Sequence, residues 1–269
     1  MSFKITLLSI KLYNKLDTIL YLHQMEPKTT IADIVKSRIN TFKDGYVFSY
    51  MDINGPSKNR EAIIKALNRL VEKGIIDKLA KGKFYKPTKS EYGRLGPDLS
   101  EIVKDLLEHK GEQIGYLTGH SIFNKLRLTT QLSNTIQIGR NTFKPPIKRS
   151  IYTIQFVLQR NIITKENIEM LQVLDCLKMI KGIPDTTKDN SLHVIGKIIR
   201  KYKKADRDIL IQLSMKYPSS TRALLGMIFQ EEKIMGPLDK IRESLNPISK
   251  FNMVLRDYDK LVKDNWNIR

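Results

Sequence analysis

Apolar residues recur at steps of three and four along much of this chain and alternate in a few short stretches. In "TTIADIVKSRINTF" the residues Ile31, Ile34, Val35, Arg38 and Ile39 share one helical face. Thr30 stands where an N-cap belongs. "DGYVFSYMDI" breaks that period and predicts a turn, a short aromatic strand and a second short helix. In "KNREAIIKALNRLVEK" the apolar stripe is Ile63, Ile64, Leu67, Leu70 and Val71. Ser57 is its expected cap, and Gly74 its expected stop. "IIDKLAKGKFYKP" then predicts strand, tight turn at Gly82 and strand, with Phe84 facing a core. Upstream, residues 1–28 form an extension in which "KLYNKLDTILYLHQM" predicts an amphipathic helix. Met1 and Met25 are both candidate starts.

Helix, short strand, helix, helix, hairpin is the order of a winged helix-turn-helix, so residues 29–87 are expected to form one. A three-helix subdomain with an unrelated hairpin has the same element order. "PTKSEYGRLGP" is linker-like in composition, which assigns 88–97 to a linker. Residues 98–269 open with a helix behind Pro97 and continue through a turn and short helix at "GYLTGHSIFNKL". "NTIQIG" and "IKRSIYTIQFVLQR" read as strands, and the chain after about residue 166 reads as helices divided by Pro, Gly and polar breaks. The expected class is α+β: an N-terminal winged helix-turn-helix, then a mostly helical α+β domain with a small sheet.

Charge changes what these elements are expected to do. The formal net charge is +19 over 269 residues, which favours nucleic acid, an acidic protein or an anionic surface as partner. A general solubility charge is the plainer alternative. On the helix opposite its apolar stripe lie Lys58, Lys65 and Arg69, with Asn68 beside them and Asn59 near the start. Such a face suits a duplex, cations meeting phosphates while Asn and Arg reach base edges. A solvated helix face has the same pattern, and Glu61 and Glu72 favour that reading in part. At the hairpin tip Lys81 and Lys83 flank Gly82, where a small residue permits close approach to a phosphate backbone. A second basic region is unexpected. Between Glu112 and Glu166 there is no acidic residue, although acids make up roughly one residue in eight of an average chain. The interval holds Lys125, Arg127, Arg140, Lys144, Lys148, Arg149 and Arg160, a second basic surface by expectation.

Catalytic chemistry is sparse. His23, His109, His120 and His193 lack metal-like spacing to Cys, Asp or Glu, and no phosphate-binding Gly-rich loop or nucleophile elbow occurs. His120 is expected to cap locally. Asp175 and Asp185 stand isolated from other carboxylates. The single cysteine, Cys176, lies in the apolar "MLQVLDCLKMI" and reads as buried and inert. With no intrachain disulfide, and no apolar run long enough for a membrane span, the expected setting is cytoplasmic. "ITLLSI" is short and has no small-residue cleavage site, so a signal peptide is not expected. The expectation is a binding protein rather than an enzyme, with no cofactor and no metal.

Seven blocks run in one order: "GYVFSYMDI", "AIIKALNRLVEKGIIDKLAKGKFYKP", "GYLTGHSIFNKLRLTTQLSNTIQIG", "ITKENIEMLQVLDCLKMIKGIPD", "KYPSSTRALLGMIF", "ESLNPIS" and the terminal "WNIR". From about Thr30 to Arg269 they resemble the AbiEi-like antitoxins of type IV toxin–antitoxin, or abortive-infection, systems, in the DUF6088-type branch. The resemblance implies a winged-helix domain that binds operator DNA and represses its own operon. It also implies a C-terminal domain that counters a nucleotidyltransferase-like toxin, with or without stable contact. The family's DNA-binding helix falls on Ser57 to Lys73 and its wing on Asp77 to Lys86. One departure stands out. The family block usually reads Lys-Leu-Gly-Leu-Thr-Thr-Gln, whereas position 127 here is Arg. If the backbone there has positive φ, Arg is strained. Thr129, Thr130 and Gln131 are intact, and could cap a turn or contact a ligand. Two other classes remain open from the residues alone: a nucleic-acid-processing enzyme, and an interaction protein that holds an acidic partner on its basic second domain.

Overall fold

The computed structural model describes residues 30–54, 59–91 and 93–269. The N-terminal extension, the helix expected within it, Ser57 and Lys58 lie outside the described residues. The fold is mixed α+β, and it divides into two compact units between Gly96 and Pro97.

The first unit opens with α1 (Ile31–Asn40), fixed at its start by a reciprocal cap. The Asp33 amide donates to the Thr30 hydroxyl at 3.2 Å, and the Thr30 amide donates to the Asp33 carboxylate at 3.1 Å. β1 (Val47–Phe48) and α2 (Met51–Asn54) follow, joined by bonds from the Ser49 amide and hydroxyl to Asp52. α3 (Arg60–Glu72) has Asn59 at its N-cap position, so the cap is not at Ser57 as expected. Its C-terminus turns at Gly74, φ +65°, where the Gly74 amide reaches the Val71 carbonyl and the Ile75 amide reaches the Leu70 carbonyl. This is the 5→2 and 6→1 pattern that only a left-handed residue closes. β2 (Asp77–Ala80) and β3 (Lys83–Tyr85) form the hairpin, and the sheet order is β1-β3-β2, antiparallel throughout. Val35, Ile39, Phe48, Ile63, Leu67, Ile76 and Phe84 fill the core between helices and sheet. The segment expected to be a linker is instead a second hairpin, β4 (Thr88–Ser90) with β5 (Gly93–Leu95). Arg94 ties it to Asp77 at 2.9 Å. Composition misled there because turn residues serve a tight ribbon as well as a linker.

In the second unit, α4 (Leu99–Leu107) leads to a ribbon, β6 (Glu108–His109) with β7 (Glu112–Gln113). The main sheet is mixed, in the order β10 (Ile147–Arg149), β11 (Tyr152–Leu158), β9 (Thr135–Arg140), β8 (Tyr116–Thr118). β11 and β9 are parallel; the other two pairs are antiparallel. Between β8 and β9 sits α5 (His120–Lys125). α6 (Ile168–Lys178), α7 (Lys188–Arg200), α8 (Lys204–Ser214), α9 (Ser219–Glu231) and α10 (Leu238–Glu243) then form the helical part. α6 and α9 are buried nearly all round and make the centre of its core. The chain after α10 is irregular before α11 (Lys260–Asn265). Its end pairs in parallel with Phe251 through Ile268. Trp266 is fully buried, and its indole N–H donates to Gln230 at 2.8 Å. Among the described residues, no helix is long and apolar enough to cross a membrane.

Candidate nucleic-acid interface

α3 is built to show one face. Ile63 and Leu67, four residues apart, are buried, and Ala66, Leu70 and Val71 pack beside them. The opposite face exposes Lys65, Asn68 and Arg69. Glu61 and Glu72 are exposed on that side too, so between Arg60 and Glu72 the helix is more evenly charged than its cations alone suggest. Its N-terminus carries a cation the sequence did not single out. The guanidinium of Arg60 lies 4.8 Å from the ring centre of Tyr50, a cation–π stack that positions the charge at the start of α3. Asn59, at the capping position, makes no side-chain cap bond.

The hairpin turn is two residues, Lys81 and Gly82, with Gly82 at φ +73°. A Cβ at Gly82 would meet nothing, so the tip is open space and glycine is needed there for its backbone conformation. Lys81 and Lys78 are exposed, while Lys83 is half-buried and already held by other interactions. Lys86 is engaged elsewhere: it pairs with Asp44 at 3.0 Å and donates to the Phe42 carbonyl at 3.2 Å. Phe84 is core, its ring 6.2 Å from that of Phe48.

The second basic surface is smaller than the sequence suggests. Lys125, Arg127, Lys144, Lys148 and Arg160 are exposed, but Arg140 and Arg149 are inside, 8 % and 5 % exposed. Arg149 forms a two-pronged pair with Asp105 of α4 at 2.6 and 2.8 Å, and donates to the Ile102 carbonyl. Arg140 lies with its guanidinium 6.0 Å from the Phe156 ring. An acid-free interval does not require exposed cations when the acid comes from elsewhere, here 44 residues upstream.

The remaining chemical candidates resolve locally. His120 does not cap: Gly119 holds the capping position of α5, and the buried Nδ1 of His120 has no partner. The Thr129 hydroxyl accepts from the Gln131 amide at 3.1 Å, so the Thr-Thr-Gln block closes a turn. Gln131 lines a cavity of about 270 Å³ together with His120, Asn124 and Tyr152. Burial pushes the Cys176 thiol well above its ordinary range, which leaves it unreactive.

A family model described as DUF6088, a family of unknown function, matches residues 34–207. No curated protein matches the chain. Among solved structures, that of the RV2827C protein from Mycobacterium tuberculosis is similar, with 10% sequence identity, 87% of this chain and 89% of that chain covered, and a TM-score of 0.54. At that identity the likeness is one of fold alone.

Proposed function

From a chain that belongs to the DUF6088 family, a family of unknown function, we propose a DNA-binding repressor that serves as the antitoxin of a type IV toxin–antitoxin pair. The first unit is read as a winged helix-turn-helix, with α3 as recognition helix and β2–β3 as wing. One observation carries the DNA reading: a helix with one face buried and Lys65, Asn68 and Arg69 exposed on the other, followed directly by a hairpin whose open tip is Lys81–Gly82. The helix fits a major groove, and a Gly-Lys tip fits a phosphate backbone. Arg60, stacked on Tyr50, adds a fixed cation at the helix start. The antitoxin part rests on the ordered resemblance of the sequence blocks, and the partner it implies is a nucleotidyltransferase-like toxin acting in the cytoplasm.

The test is a gel-shift titration on the DNA upstream of its own operon. The chain is expected to bind with a Kd of about 10⁻⁸ M or tighter. The triple variant Lys65→Ala, Arg69→Ala, Lys81→Ala should bind at least tenfold more weakly, and unchanged binding would show the surface assignment to be wrong. Co-expression with the neighbouring reading frame tests the antitoxin part. Growth arrest by that gene, relieved by this chain, is the expected result.

A further inference from the structure

A buried polar network lies at the centre of the second unit, and the DNA reading makes no use of it. Asp175 of α6, 2 % exposed, accepts from the Tyr116 hydroxyl at 2.7 Å, the Thr118 hydroxyl at 2.8 Å and the Tyr217 hydroxyl at 2.8 Å. Gln159 donates its amide to both tyrosine oxygens, at 2.8 Å each. The direction of these bonds is fixed from one end. The backbone N–H of Asn161 can only donate, and it donates to the Gln159 Oε1 at 2.8 Å. Gln159 must therefore present its NH₂ to the tyrosines, and their hydroxyl protons are free to point at Asp175. The carboxylate thus receives two donors on Oδ2 and one on Oδ1, which leaves acceptor capacity on Oδ1.

A cavity of about 350 Å³ opens on this network, with Gln159, Asp175 and Tyr217 among its lining residues. Arg160, Lys178 and Lys216, from three different segments, line it as well and are exposed. Among the described residues none of the three forms an ion pair, although Lys216 reaches the Arg160 carbonyl at 3.5 Å. α9 starts at the same place, with Pro218 as its cap residue and no acid in its first turn. A network that served packing alone would be complete without three unpaired cations converging on its open side. A volume near the lower end of the range for small-molecule sites, about 300–1,000 Å³, points to a ligand of modest size.

We propose that this cavity binds a mononucleotide, its phosphate held by Arg160, Lys178 and Lys216 and an N–H of its base donated to the free position on Asp175. The acceptor floor selects a donor head group, and the cationic rim selects the anion. A bare phosphate satisfies only the rim, and a nucleoside only the floor. This inference stands on the second unit and is independent of the DNA reading.

Isothermal titration of the full chain with AMP, GMP, CMP and UMP tests it, with inorganic phosphate and the nucleosides as controls. At least one mononucleotide should bind saturably, one per chain, tighter than phosphate or its nucleoside by about tenfold or more, the worth of one charged hydrogen bond. The double variant Lys178→Ala, Lys216→Ala alters only exposed side chains and should weaken that binding about tenfold or more. Asp175→Asn should weaken the mononucleotide while leaving phosphate binding unchanged. Lys81→Ala, which tests the DNA reading, should not alter it. No mononucleotide binding at millimolar concentration, phosphate binding as tight as the nucleotide's, or indifference to the rim variant would each overturn the proposal.

Discussion

At Arg127, where the resemblance led us to expect glycine, the backbone is left-handed, φ +59°. Its place in the chain explains why. α5 ends at Lys125, the Arg127 amide bonds the Asn124 carbonyl at 2.9 Å, and the Leu128 amide bonds the Phe123 carbonyl at 2.8 Å. That is the same helix-ending pattern as at Gly74, sealed by Leu128 and Phe123, both buried. A left-handed residue with a Cβ costs about 1–2 kcal/mol, and glycine gives back part of that in the unfolded chain. Arg127→Gly should therefore raise stability by about 0.5–1 kcal/mol in urea denaturation, and a loss would contradict the account. Asp175 gives a second residue-scale expectation. Burial raises its pKa above the ordinary 3.8, while the Tyr116, Thr118 and Tyr217 hydroxyls and the Lys178 charge pull it back. With the native pKa above the unfolded one, the native state binds the extra proton in the window between them. Its stability on this account falls as pH rises through that window, and the cost is fully present above it. Urea midpoints of the chain and of Asp175→Asn, measured from pH 7 down toward pH 4, should shift in the wild type's favour as the pH falls; a difference constant with pH would refute this.

At the scale of elements, the C-terminal "WNIR" owes its placement to a glycine. A Cβ at Gly226 of α9 would lie 2.2 Å from the Trp266 ring, so the helix is notched where the indole lies against it. Gly226→Ala should cost about 2–3 kcal/mol by overpacking, and Trp266→Ala about 3–5 kcal/mol by loss of buried area. The two together should cost clearly less than their sum, because the alanine methyl fills space the indole has left. Additive losses in a double-mutant cycle would mean the two do not share that space. These contacts also mark how far the sequence could be read. Periodicity and chain breaks located α1, α3 and the helices from α6 to α10, because each signal there is local: Thr30 ahead of a stripe, Gly74 after one, Pro218 before a helix. What lay beyond reach depended on distant partners. Asp175 looked isolated in sequence because Tyr116, Thr118 and Tyr217 are 42 to 59 residues away. Arg149 looked like surface for the same reason, and the β4–β5 ribbon looked like a linker because its pairing and its tie to Asp77 leave no periodic mark. At the candidate interface, the exposed cations of α3 and the Gly82 turn were legible, whereas Arg60 was not, since its placement depends on Tyr50, ten residues back in the chain.

For the whole molecule, a net charge of +19 makes binding to any polyanion strong at low salt. Affinity alone is then poor evidence for a specific site, and salt dependence separates the contributions. Each phosphate neutralised adds about 0.9 to the slope of log K against log salt on a duplex, whatever its sequence. Lys81, exposed at an open hairpin tip, should make such a contact. Lys81→Ala should lower that slope by about one, for operator and random duplex alike, and leave their affinity ratio unchanged. Asn68 carries no charge and lies on the outer face of α3. Asn68→Ala should leave the slope alone and narrow the ratio by the worth of one base contact, about 1–3 kcal/mol. Fluorescence anisotropy on both duplexes from 50 to 200 mM salt reads the two quantities in one experiment. If Lys81→Ala narrowed the ratio, or Asn68→Ala lowered the slope, the assignment of the hairpin to phosphate and the helix to base would have to be reversed. Lys86, bound to Asp44 and to the Phe42 carbonyl, supplies the internal control. Its replacement by alanine should lower stability while leaving both slope and ratio unmoved, which separates a lysine that holds the hairpin from one that meets DNA.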